Sequence, residues 1–366
     1  MEETRESILR QRLQTGFLGI IAFALLLFLM VQARFMLISL AIAIILFSLT
    51  SDAINAIARQ GVARWLATIL ALVAIAALLL GISTSIIAQV NAVVQTAVSY
   101  TERAQAALPD LTEWLGPNMQ ESLVAALRNV NIAGWMRSVA GQAGDLLSGS
   151  ILIILFVGFM FAERMFFPAK IERLAGDPEQ ARRIGRIIST IMHKVNRYLV
   201  VKTAVSAVTG FCVWGVFKLA GLDLAMPIAV LTFVFNFIPS VGSIVATVVA
   251  FLLAFVLSGD LALALVIGAA CTALQFVIGN VLDPMLLGQT LRLSSFGIII
   301  SLAFWGSVWG IPGMFLAVPI MVSLMIVCAH TVWLRPVAIM LSREGLPELA
   351  MDEDVGTDPL TTDHAA

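Results

Sequence analysis

The chain has 366 residues, 60% of them hydrophobic and 12% charged, with a formal net charge of −1 and a mean hydropathy of +0.98. Soluble domains run near 45–50% apolar and about 25% charged, so this excess cannot be hidden in one aqueous core, and a soluble globular protein is excluded. The near-zero net charge says little about partners. What counts is where Lys and Arg fall beside the apolar runs, because those positions set orientation in a bilayer.

Residues 1–15 carry Arg5, Arg10 and Arg12 ahead of the first apolar run. This could mimic a signal peptide ending at Val31-Gln32-Ala33, but the next apolar run begins at Phe35, so a retained first helix is the better reading. Residues 16–88 hold three membrane helices, 16–31, 35–49 and 65–89, the third with Trp65 placed as an interfacial anchor. From an inside N-terminus, three crossings lead outside. Residues 89–148 form an extracytoplasmic amphipathic segment with helical stripes such as Val90, Val93, Val94 and Ala97, Leu123, Val124, Leu127 and Val130, and Ile132, Trp135, Met136 and Val139. Pro109-Asp110 and Gly116-Pro117 punctuate it. It is read as packing against other helices or subunits, and no residue in it suggests a ligand.

Residues 149–164 cross back. Residues 165–197 then form a basic cytoplasmic amphipathic helix: with Arg164, the basics are Lys170, Arg173, Arg182, Arg183, Arg186, Lys194 and Arg197, eight against Arg103, Arg128 and Arg137 in the outer segment. That asymmetry places this loop and both termini on the cytoplasmic side. Asp177-Pro178-Glu179-Gln180 predicts a helix start, and Ile184, Ile187, Ile188, Ile191 and Val195 give it an apolar stripe suited to the inner leaflet. Nucleic-acid binding is the weaker reading of these charges. Cys212, Cys271 and Cys328 lie in apolar runs without metal-ligand spacing and read as small core residues.

Residues 198–335 make the transport core. Lys202 lies near the predicted start of the 198–220 span, where a lysine is expected to snorkel to the interface; lining a pathway is the alternative. The uncharged run 224–259 is cut by Asn236-Phe237-Ile238-Pro239-Ser240-Val241-Gly242, and the uncharged run 296–334 by Trp309-Gly310-Ile311-Pro312-Gly313. As one helix either would be about 55 Å long, against a hydrocarbon core of about 30 Å, so each must break or fold back. Irregular backbone at membrane depth is tolerated where protein or a water-filled cavity satisfies it, and paired interrupted segments point to a transporter's binding site. Both runs crossing gives eight spans; both re-entrant gives six, with hairpins entering from opposite faces as an inverted repeat would. The tail, residues 336–366, is acidic and expected to be disordered. The fold class is therefore an all-α polytopic membrane protein with about eight transmembrane segments, two of them interrupted or re-entrant, plus amphipathic outer and cytoplasmic helices.

Polar groups inside a membrane are costly and therefore candidates for function. Along the substrate or ion pathway these are Asn236, Gln275, Asn280 and Asp283, with Pro239, Gly242, Gly310 and Gly313 shaping the breaks and Lys202 as a secondary candidate. Asp283 is the one acid between Asp260 and Glu344. In a dehydrated cavity it could serve a proton-coupled carrier; followed by Pro284, it could instead cap a surface loop. Gln275 and Asn280, five apart, do not share an α-helical face and are not assigned one joint site. No metalloprotease, nucleophile-elbow or Walker A motif occurs, so no enzyme, cofactor or metal site is expected, and active transport would have to be secondary.

Tyr198-Leu199-Val200-Val201-Lys202-Thr203 with Gly210, Asn236-Phe237-Ile238-Pro239-x-x-Gly242, Gly279-Asn280-Val281-Leu282-Asp283-Pro284 with Leu287-Gly288, and Gly310-x-x-Gly313 leading to Ala317-Val318-Pro319 together resemble the autoinducer-2 exporter (AI-2E, permease-like) family of bacterial membrane proteins. The resemblance implies a homo-oligomeric inner-membrane transporter. Members are associated with export of the quorum-sensing signal autoinducer-2, and some with sodium or lithium to proton antiport. Asp283 stands where the family usually has Glu, and Ser294-Ser295 replaces the usual His-Pro, which leaves the substrate open. The expected function is export of a small polar signal or metabolite by a secondary transporter, with a cation/proton antiporter second. A non-transporting membrane scaffold is the alternative of another class. The expected partners are the lipid bilayer, a small-molecule or ion substrate and further copies of the chain, and no nucleic acid.

Overall fold

The computed structural model describes residues 2–59, 61–115, 132–287, 293–343 and 345. Among them regular structure is helical, apart from an isolated antiparallel bridge between Leu293 and Ser342. The helices are α1 Glu2–Gln32, α2 Arg34–Ala58, α3 Arg64–Leu115, α4 Ile132–Glu163, α5 Phe167–Ala175, α6 Pro178–Leu219, α7 Ala225–Phe235, α8 Val241–Ser258, α9 Leu261–Val277, α10 Asp283–Leu287, α11 Ser295–Ala329 and α12 Arg335–Leu341. A π-helical turn, Ile278–Leu282, joins α9 to α10. Among the described residues, 8 helical segments are long and apolar enough to cross a membrane, as the sequence predicts.

Local chemistry accounts for several boundaries. Asp177 caps α6 by accepting from the Glu179 N–H, with Pro178 in the first turn where its missing donor costs nothing. Asp260 caps α9 in the same way, accepting from the Ala262 and Leu263 N–H groups. Three segments differ from the sequence reading. The basic stretch of residues 165–197 is two helices, α5 and the start of α6, and α6 runs 42 residues without a break into the next span. Helix α3 continues through Pro109 to Leu115, which fits a proline's effect of deleting one backbone bond without dictating a stop. The first residues of the tail form α12, with Pro336 in its first turn. Residue 344 and residues 346–366 lie outside the described residues, as does the stripe Leu123 to Val130.

The chain divides into two compact units, residues 45–292 and residues 1–44 with 293–366. In the first, α6, α7, α8 and α9 pack around Val213, Phe217, Ile228, Ile267 and Cys271, with Ala250, Ala254 and Ala264 letting the backbones approach closely. Helices α3 and α4 are tied by a buried 3.1 Å hydroxyl pair, Ser83 and Ser150. The buried Asn196 Nδ2 donates to Ser48 Oγ at 3.0 Å.

The uncharged run of this unit is a helical hairpin. Its arms, α7 and α8, turn back on each other across residues 236–240, and Ser240 at the turn has φ 60. The α7 arm has 11 residues, about 17 Å, roughly half a hydrocarbon core. Gly242 is obligatory at the crossing point, because a Cβ there would run into the Phe235 carbonyl.

In the second unit α11 also doubles back. Gly310 holds φ 67 and ψ −143 inside it, and the Ser301 hydroxyl donates to the Ala317 carbonyl at 2.9 Å, a contact impossible in a straight helix. A Cβ on Gly313 would meet the Trp305 carbonyl. The tip rests on α1, where Trp309 Nε1 donates to the Met30 carbonyl at 3.1 Å. Both interrupted runs thus break where the sequence places Pro and Gly.

Candidate solute site

The site is built from α6 upward. Tyr198, Lys202, Ser206 and Thr209 recur at four, four and three residues, which puts them on one face of the helix, and all four are buried. Burial of these groups needs partners, and the first hairpin supplies them. Asn236, the first residue of its turn and itself buried, donates through Nδ2 to Ser206 Oγ at 3.1 Å and to Thr209 Oγ1 at 3.5 Å. The break in the run is therefore fastened to α6 by a side-chain amide.

One turn below, Lys202 Nζ and Asp283 Oδ2 form a 2.9 Å ion pair, with side chains 6% and 22% exposed. This corrects the expectation that Lys202 snorkels to the interface. Because α6 begins at Pro178, Lys202 lies deep in a continuous helix and not at the start of one. It likewise replaces the surface-loop reading of Asp283, which opens the short α10 directly after the π-helical turn. Asp283 Oδ1 and the Tyr198 hydroxyl are buried and have no hydrogen-bond partner among the described residues.

Of these groups, Lys202, Asn236 and Asp283 border one cavity of about 650 Å³. Its wall includes Lys202, Asn236, Pro239, Gln275, Asn280 and Asp283, together with the hydroxyls of Ser240, Ser243, Thr247 and Thr272 and apolar surface from Ile238, Ile244, Val248 and Phe276. Gly242 shapes the turn behind this wall, while Gly310 and Gly313 shape the hairpin of the other unit. Gln275 and Asn280 were not expected to share a face. The π-helical turn changes that: with about five residues between bonded groups in place of four, a spacing of five approaches one full turn, and both side chains border the cavity. Asn280 Nδ2 also donates to the Phe276 carbonyl at 2.9 Å.

Ser206 and Thr209 are the partners that the sequence reading overlooked. Their signal was present, as a polar stripe at helical spacing inside an apolar span that starts from Tyr198 and Lys202. Ser243, Thr247 and Thr272 carry no comparable signal, since hydroxyls in membrane helices commonly bond their own backbone, as Thr247 and Thr272 also do here. A second cavity, of about 530 Å³, lies between α5 and α6 against Phe167, Ile171, Ile188 and Arg182, but it lacks a converging set of buried polar groups. Among the described residues no three His, Cys, Asp or Glu side chains cluster as a metal site would require.

What this arrangement can do chemically is limited and specific. A neutralised charge pair, three carboxamides and several hydroxyls can bind a small polar solute through many weak directed bonds, and nothing in the set resembles an activated nucleophile. Comparison with known proteins agrees in kind. A sequence model described as AI-2E family transporter matches residues 18–333. The AI-2 transport protein TqsA of Escherichia coli K12 is 31% identical over 202 residues, covering 55% of this chain and 57% of that protein. A Borreliella burgdorferi protein, whose name gives transport as its inferred role and no cargo, is 30% identical over 222 residues, 59% of this chain and 61% of its own length. A Haemophilus influenzae protein named in the same way is 28% identical over 297 residues, 79% and 84% of the two chains. The matched part thus spans about three fifths of the length of the first two relatives. With eight apolar helices among the described residues and a family match across most of its length, the chain belongs to the AI-2E transporter family and is a multi-pass bacterial membrane protein.

Proposed function

We propose that the protein is a secondary transporter of the inner membrane that exports a small polar signal or metabolite through the cavity bordered by the first hairpin, driven by an ion gradient. The observation that carries this reading is the convergence of Asn236, Gln275, Asn280 and the Lys202–Asp283 pair on one cavity of about 650 Å³, beside a hairpin whose turn is held by a side-chain amide. Ligand pockets of organic molecules run about 300–1,000 Å³. The name of the Escherichia coli relative makes autoinducer-2 the first solute to try. The excess of Lys and Arg in residues 164–197 supports cytoplasmic termini. Large exposed apolar side chains such as Phe17, Phe23, Phe28 and Phe211 suit contact with lipid and with further copies of the chain.

The test is solute efflux from proteoliposomes, guided by metabolite profiling of cells with and without the protein. Export is expected to fall at least about tenfold in Asn236→Ala and in Asp283→Asn, the size of effect that loss of one charge-assisted or buried contact produces. Efflux that both variants leave unchanged would move the site away from this cavity, and no protein-dependent efflux of any tested solute would favour a scaffold. A second reading, sodium or lithium exchange for protons, is favoured by Asp283, which among the described residues is the one carboxylate on the wall and has an Oδ1 without a partner. It predicts pH-dependent sodium flux that disappears in Asp283→Asn.

A further inference from the structure

Among the described residues the charged groups on the cavity wall are one base and one acid, and they already satisfy each other at 2.9 Å. The remaining polar wall is uncharged, made of carboxamides and hydroxyls. Lys202 is almost wholly buried, and Asp283 turns one oxygen into the protein without a partner among the described residues. A buried pair of this kind is easily replaced by apolar packing where only stability is wanted, so its place on the wall of a polar cavity calls for a use.

We infer that the solute of this site is a small zwitterion, bound by opening the Lys202–Asp283 pair so that its ammonium group meets Asp283 and its anionic group meets Lys202. The inference rests on the reading of this cavity as the solute site. It follows from what each class of solute would leave behind. A simple cation taken by Asp283 strands the Lys202 ammonium in a buried place, and a simple anion taken by Lys202 strands the carboxylate. An uncharged polyol could touch both, but it would exchange an ion pair, in which both partners are charged, for hydrogen bonds in which only one partner is. A zwitterion compensates both ends at once and keeps the site neutral through the binding step. A bare alkali ion is also a poor match for a space of about 650 Å³ walled by carboxamides and by Ile244, Val248 and Phe276, which fit the carbon skeleton of an organic solute.

The experiment uses the full-length protein in detergent and follows thermal unfolding with four pools of probes at equal concentration. The pools are the uncharged-side-chain amino acids, simple amines (ethanolamine, propylamine), simple carboxylates (acetate, lactate) and polyols (glycerol, ribose). The amino-acid pool is expected to raise the Tm of the wild type while the other three do not. Lys202→Met, which leaves a lone carboxylate, should move the response to the amines, and Asp283→Asn should move it to the carboxylates. The exchanged pair, Lys202→Asp with Asp283→Lys, should recover the response to amino acids. Because either single variant leaves a buried charge and could misfold, Lys202→Met combined with Asp283→Asn is the control; it leaves none and should melt cooperatively with no response to any charged pool. Stabilisation of both the wild type and this double variant by polyols alone would overturn the zwitterion while leaving transport through the cavity standing. No shift with any pool, together with no proteoliposome flux of any probe, would overturn both.

Discussion

The two hairpins of this protein use one backbone device for different ends. In each, an uncharged apolar run folds back on itself, and in each a glycine stands where a side chain would strike a carbonyl from the opposite arm, Gly242 against Phe235 and Gly313 against Trp305. The second hairpin is closed by apolar and aromatic matter. Trp305 and Trp309 pack with ring centroids 4.6 Å apart, the Met314 side chain fills the space over Gly306, and the polar groups it buries are paired within the same unit. The first hairpin is closed by polar matter, with Asn236 fastened to Ser206 and Thr209 and the turn exposed to a cavity holding an ion pair. Its turn residue Ser240 also holds a positive φ without being glycine, a conformation that costs of order 1–3 kcal/mol and that tends to persist at functional sites. The comparison teaches that a helix break marks a place where backbone is free to be recruited. The side chains around the break decide whether it borders a polar cavity or is closed by packing.

The largest effects should come from the device the hairpins share. Gly242→Ala and Gly313→Ala each drive a Cβ into a backbone carbonyl that has no rotamer to escape with, so each is expected to lower stability by about 3 kcal/mol or more. Thermal melting in detergent measures this, and a tolerated alanine at either position would break the symmetry between the two hairpins. Next comes the ion pair, which only the first has. Asp283→Asn leaves the Lys202 ammonium buried and uncompensated, for which about 2–3 kcal/mol is expected, less than for a fully buried pair because Asp283 is 22% exposed. Adding Lys202→Met should recover most of that loss, and a double variant no more stable than Asp283→Asn would mean that the pair is not coupled as the geometry implies.

Much of this was legible in the sequence, and the parts that were not share a cause. The spans and their breaks follow from apolar composition and from Pro239, Gly242, Gly310 and Gly313, whose backbone demands are local. Asn236, Gln275, Asn280 and Asp283 stood out because a polar group in an apolar run needs a reason. The fate of Lys202 was misread because a new span was taken to start at Tyr198, whereas the helix that starts at Pro178 runs on without a break and buries Lys202 against a carboxylate 81 residues away. The face shared by Gln275 and Asn280 was misread because the π-helical turn breaks the assumed period, and no residue in Ile278–Leu282 announces such a turn. Pairings over long separations, such as Lys202 with Asp283, depend on tertiary packing that helical periodicity does not contain.

Asn236→Ala separates binding from packing within the first hairpin. It removes the donor for Ser206 and Thr209, both of which keep hydroxyls able to bond their own helix, as Thr209 already does with the Val205 carbonyl at 2.7 Å. The expected loss of stability is therefore modest, about 1–2 kcal/mol, while solute flux should fall much further.

The smallest effect is reserved for the corresponding bond of the second hairpin. Ser301 is 3% exposed and its hydroxyl donates across the hairpin to the Ala317 carbonyl, so Ser301→Ala leaves one buried carbonyl without that donor and should cost about 1 kcal/mol. Ala317 belongs to a helical arm whose backbone order is set by its own ladder and by the Gly313 crossing, so the fold should tolerate the change. Flux per folded protein should stay within about twofold of wild type, in contrast to Asn236→Ala, since no group on the cavity wall is altered. Measured side by side, equal stability losses with unequal flux would keep the division between a hairpin that binds and a hairpin that packs. A drop in flux for Ser301→Ala as deep as that for Asn236→Ala would erase it, and would make the second hairpin part of the transport path.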